Sequence, residues 1–210
     1  PGFLLSRCVA EAFARRPSAT GAVLEKHGLI TWGPAGETRY RRTIACVTKA
    51  ERALERARRR RRWSPVGCRA LPPERRMALL RGWLPTIRRT LSRQRKVCLA
   101  FTDTPDVLAF VSAARCAQVS RAGPATPDHL LRTKRTPCVL TRGSAEAASP
   151  AAVARQLERY AAMHRRYFDT HHRPGQFLQD PYPRVILAPG VGMLTSGKDL
   201  TETAMVATIY

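Results

Sequence analysis

Apolar and polar positions follow two different periods along this chain, and the switches between them mark its elements. From Phe3 to Arg16 the apolar side chains recur at helical spacing, and Pro17 ends the segment. Ala22-Val23-Leu24 and Leu29-Ile30-Thr31-Trp32 are short β-prone runs on either side of His27-Gly28. A long helix is predicted from about Gly36, because Tyr40, Ile44, Val47 and Leu54 fall on one face. It runs into the arginine block Arg58 to Arg62, where cations suit a helix C-terminus. Residues 63–73 read as a linker by their Pro and Gly content.

In the second half, Met77, Leu80, Leu84, Ile87 and Leu91 step at three and four residues, predicting a helix that Pro85 should kink. Val97 to Phe101 and Pro137 to Thr141 read as strands. A long helix is predicted over 150–171, with Val153, Leu157, Tyr160 and Tyr167 on its inner face. Arg184 to Ala188 and Met193-Leu194-Thr195 are further strands, and a last helix starts near Asp199. Strands alternating with helices predict a layered α/β fold, though not its strand order.

An internal echo ties the two ends together. His27-Gly28-Leu29-Ile30-Thr31-Trp32-Gly33 and Val191-Gly192-Met193-Leu194-Thr195-Ser196-Gly197 lie 164 residues apart and share Gly, Thr and Gly in register. Each follows an apolar strand and precedes a helix, the pattern of a duplicated unit. In the second copy the histidine has become Val191, which cannot bind a metal.

Composition narrows the function classes. The net charge of +22 would ordinarily suggest a nucleic-acid partner. Yet only 5 of the 37 basic residues are lysine and asparagine is absent, a skew that reads as codon bias on solvated faces. Nucleic-acid contact is therefore expected to be non-specific, since interleaved aromatics and recognition motifs are missing. No apolar run approaches a membrane span. The 6 cysteines include no C-x-x-C pair and suit reduced thiols in a cytoplasmic protein. The chain starts at Pro1 and stops at Tyr210 inside a predicted helix, so it is expected to be an interior piece of a longer protein.

The run Lys26-His27-Gly28-Leu29-Ile30-Thr31-Trp32-Gly33 resembles the third metal-ligand motif of the class II aldolase/adducin family. Residues 124–135, from Pro124 through His129 to Arg135, and Pro189-Gly190-Val191-Gly192-Met193 are similar to the large bifunctional proteins of that family. In those, a rhamnulose-1-phosphate aldolase region precedes a short-chain alcohol dehydrogenase domain. The resemblance implies a three-layer αβα fold with a degenerate second copy of the aldolase unit. Residues 1–62 would be the C-terminal part of the first unit, 63–92 a Pro/Arg-rich linker and helix, and 93–210 the second unit. It also implies zinc, or another divalent metal, cleaving a ketose 1-phosphate to dihydroxyacetone phosphate and lactaldehyde. A sugar phosphate is then the substrate and a homo-oligomer the expected assembly.

Of that machinery the chain matches one metal ligand, His27. The other two ligands, an H-x-H pair, and the general acid/base Glu are implied upstream of Pro1. His129 stands 62 residues before Val191, and the same step back from His27 also falls before Pro1. NAD enters only if a dehydrogenase domain lies downstream, because no dinucleotide fingerprint is present. Within Asp128-His129-Leu130-Leu131-Arg132-Thr133-Lys134, one reading is a helix capped by Asp128. The other is a phosphate site at Arg132 and Lys134. His164, His171 and His172 are assigned to the surface. A non-catalytic module like the adducin head is the competing reading, and a basic nucleic-acid-binding protein the third.

Overall fold

The computed structural model describes residues 2–60, 65–141 and 149–210. They form two compact units, Pro1–Trp63 and Ser64–Tyr210. Arg61, Arg62, Trp63 and Ser64, at the end of the arginine block and the start of the expected linker, lie outside the described residues.

The first unit runs α1 (Phe3–Arg15), β1 (Gly21–Leu24), β2 (Gly28–Thr31) and α2 (Gly36–Arg60). The two strands pair antiparallel, Leu24 opposite Gly28 and Gly21 opposite Thr31. Trp32 pins the hairpin: its indole donates to the Ala19 carbonyl at 2.7 Å and its ring meets Phe13 edge-on at 5.5 Å. Thr31 bonds Thr43 of α2 at 2.7 Å. The apolar stripe of α2 forms as the spacing predicts but stays open, with Tyr40 67% and Leu54 71% exposed.

The second unit holds the core. Its elements are α3 (Pro73–Leu91), β3 (Cys98–Thr102), α4 (Pro105–Val111), α5 (Cys116–Val119), a 3-10 turn at Ser120–Ala122, α6 (Pro127–Thr133), β4 (Cys138–Val139), α7 (Pro150–His171), β5 (Val185–Ala188), β6 (Gly192–Gly197) and α8 (Leu200–Ile209). The sheet order is β3-β6-β5-β4. The β3–β6 and β6–β5 pairs are antiparallel, and β5–β4 is parallel. All four residues of β5 are buried, which accounts for its unbroken apolar run.

Side chains of β5 alternate between two clusters, as the strand period requires. Ile186 and Ala188 join Leu80, Ile87 and Leu91 of α3 with Val153 and Leu157 of α7. Val185 and Leu187 join Val111 of α4, Cys116 and Val206 of α8. Each such fully buried aliphatic side chain contributes roughly 1.5–3 kcal/mol. The helix α3, read from sequence as part of an intervening segment, thus packs inside the second unit, and it continues through Pro85.

Three helices begin with the same chemistry. Thr104-Pro105, Thr126-Pro127 and Ser149-Pro150 each place a hydroxyl at the N-cap and proline in the first turn. Each hydroxyl accepts from the backbone N–H three residues on, at 3.4, 3.4 and 3.2 Å. The cap of α6 is Thr126, a correction to the expected Asp128. No described helix is long and apolar enough to cross a membrane.

Candidate functional site

The two glycine-bracketed hairpins share their local geometry. In the first, Leu24 pairs with Gly28 across a loop of Glu25 to His27; in the second, Ala188 pairs with Gly192 across Pro189 to Val191. The loop centres are left-handed in both, Lys26 at φ 62° and Gly190 at φ 72°. Gly28 and Gly192 follow at φ 125° and 148°, where only glycine is unstrained. The same turn bond closes each loop: His27 N–H donates to the Leu24 carbonyl at 2.9 Å, and Val191 N–H to the Ala188 carbonyl at 2.9 Å. Beyond the strands, Trp32 N–H donates to the Thr20 carbonyl and Ser196 N–H to that of Arg184.

The hairpins differ in what the loop carries. Val191 is 2% exposed and joins the core. His27 is exposed, and its Nδ1 lies 3.1 Å from the Glu25 carbonyl oxygen. That contact engages Nδ1 with a backbone carbonyl, the arrangement in which a metal-binding imidazole is commonly held. Among the described residues, however, no three His, Cys, Asp or Glu side chains gather as a ligand set.

The remaining candidates separate. His129 is half-buried on α6, its Nδ1 2.8 Å from the Thr126 hydroxyl. Arg132 is exposed on the same helix. Lys134 turns the other way at φ 63°, and its ammonium donates to the Asp180 and Tyr182 carbonyls. Burial lowers the Lys134 pKa to about 7, with Arg184 and Arg95 acting in the same direction and Asp180 opposing. Asp180 itself pairs with the buried Arg184 at 3.2 Å. Two of the three protons of Lys134 are thereby committed to the protein's own backbone.

His171 and His172 are exposed as expected, whereas His164 is half-buried beside Tyr160 and Tyr167. Burial first, then the Lys134 charge, lowers the His164 pKa to about 4. All six cysteines are free; Cys116 and Cys138 are buried, and Cys8 and Cys46 are exposed. A cleft of about 420 Å³ brings His129 and Lys134 together with Asp106 and Tyr210. No local pattern marks it, because its walls come from α4, α6, β5, β6 and α8 at once.

Residues 78–210 match the family model described as aldolase class II, second domain. The chain belongs to the class II aldolase family. Over its whole length it is 33% identical to the uncharacterized oxidoreductase YuxG of Bacillus subtilis (strain 168). The chain spans 31% of that relative's length. No solved structure matches the chain at a significant level. The aldolase-family match covers β3 through α8 and therefore includes the hairpin that carries Val191, while the hairpin of His27 precedes it.

Proposed function

We propose that this chain is part of a zinc-dependent class II aldolase that cleaves a ketose 1-phosphate of the rhamnulose type to dihydroxyacetone phosphate and lactaldehyde. The observation that carries the reading is the contrast at one loop position. His27 is exposed with Nδ1 held by a carbonyl, and its counterpart Val191 is buried. An exposed, oriented imidazole in a rigid hairpin is a ligand in waiting; a buried valine is a retired one.

The donors present fit one coordination position and not a complete site, as the described residues contain no further ligand cluster. In this reading the remaining two histidines and the general acid/base Glu are supplied from outside residues 1–210, as the family resemblance implies. When bound, a divalent ion would polarise the substrate carbonyl. The part of His27 is to hold that ion in place through Nε2, with Glu25 fixing its tautomer.

The matched hairpins support a duplicated aldolase unit whose second copy, with helices on both faces of one sheet, has lost the metal position. The relative's description as an oxidoreductase, and its greater length, support a longer protein that also carries a nicotinamide-dependent dehydrogenase portion. Zinc content and rhamnulose 1-phosphate cleavage, measured in the full-length protein and its His27→Ala variant, test the reading. Unchanged zinc and turnover in the variant would overturn it.

A further inference from the structure

A second and larger cavity, of about 950 Å³, opens in the Ser64–Tyr210 unit beside β4 and the first half of α7. Arg121, Arg135 and Arg159 line it, and no Asp or Glu does among the described residues. None of these three arginines forms an ion pair with a described residue, although Arg76, Arg93, Arg95 and Arg184 of the same unit do. Arg135 is held in place, its guanidinium carbon 4.8 Å from the centre of the Tyr167 ring. Ser112 also lines the cavity, 7% exposed, and its hydroxyl has no hydrogen-bond partner among the described residues.

Three uncompensated guanidinium groups at one concavity repel each other, and a bound anion relieves that repulsion. Codon bias can explain many arginines, but it does not explain a cavity wall without a single acidic side chain. Apolar side chains, Val139, Leu140 and Met163 among them, line part of the remaining wall beside hydroxyl and amide groups such as Thr136 and Gln156. A lone phosphate would fill little of the volume, which lies in the range of small-molecule sites.

We propose that this cavity binds a phosphate monoester with an apolar body, the phosphate at Arg121, Arg135 and Arg159 and the body against β4 and α7. The proposal uses residues of the Ser64–Tyr210 unit alone and is independent of the aldolase reading.

Phenyl phosphate serves as the probe, titrated calorimetrically into the full-length protein, with inorganic phosphate and phenol as separate arms. Saturable binding of phenyl phosphate is expected, with inorganic phosphate competing weakly and phenol weaker still. Arg159 is exposed, so Arg159→Gln should fold normally and lower the affinity about tenfold, the loss of one charge-assisted hydrogen bond. Arg121→Gln should act similarly, and His27→Ala should leave the affinity unchanged. The proposal falls if phenyl phosphate does not bind saturably, or if both arginine variants bind it as well as the parent. Equal affinity for inorganic phosphate and phenyl phosphate would also overturn it, because the apolar wall would then contribute nothing.

Discussion

The Thr195 hydroxyl donates to the Thr203 carbonyl oxygen at 3.3 Å and so ties β6 to the first turn of α8. The counterpart exists in the first unit, where the Thr31 hydroxyl donates to the Arg39 carbonyl at 3.1 Å. Thr195 is 1% exposed, so losing its hydroxyl leaves no water to substitute. Thr195→Val should cost about 1 kcal/mol. Thr31→Val should cost less, because the bond to Arg39 is exposed. Urea midpoints for the two variants, compared with the parent, decide between them.

Gly192 and Gly28 offer a sharper contrast. Both sit at positive φ, so alanine strains either position by roughly 1–3 kcal/mol. At Gly192 a new Cβ would also stand 2.6 Å from the Phe101 ring and 2.7 Å from the Thr102 carbonyl. At Gly28 it would meet nothing within 4 Å. Gly192→Ala should therefore be clearly the more destabilising in thermal unfolding. Equal losses would show that the β3 contact yields easily.

His27→Ala in the full-length protein should remove most bound zinc and most aldolase turnover. The fold should survive, since the side chain is exposed and surface changes shift stability within about 0.5 kcal/mol. His129→Ala should leave zinc content unchanged, because the loop of its own hairpin pair carries Val191. Metal analysis of both variants is the check. Zinc lost with His129 and retained without His27 would mean that the second copy is the working one.

Lys134 predicts a pH dependence. Its folded pKa of about 7 lies below its ordinary value of 10.5, so between these the unfolded chain binds a proton that the folded chain does not. Stability contributed by Lys134 is thus full above 10.5 and is lost as pH falls to about 7, at up to ~1.4 kcal/mol per pH unit. Burial pushes the Cys138 thiol up to about 12, which acts the opposite way above pH 9. The clean window is therefore pH 7 to 9. Across it, unfolding free energy should rise less steeply with pH in Lys134→Met than in the parent. An identical slope would show that the amine stays protonated when buried.

Much of the local structure was legible in the residues. Helix spacing placed α2, α3 and α7, and the apolar run at β5 marked a strand, whose burial on both faces the structure added. The repeated Gly-x-x-Thr-x-Gly pattern marked two hairpins because positive φ at a fixed loop position demands glycine. The short helices α4 and α6 escaped apolar periodicity, which needs more than two turns to register. Their Thr-Pro starts were the available sign.

What the sequence by itself determined is what neighbours along the chain can decide: hairpin loops, helix caps and the period of each apolar stripe. Tertiary structure alone decided that β6 lies between β3 and β5. It also left the apolar face of α2 open while burying that of α7. Lys134 shows the reason most directly. Read along the chain, it belongs with Arg132 on a basic helix end. In space it meets the Asp180 and Tyr182 carbonyls, 46 and 48 residues away, and loses most of its hydration there. The desolvation of a charge depends on which distant segments close over it, and no local spacing encodes that closure.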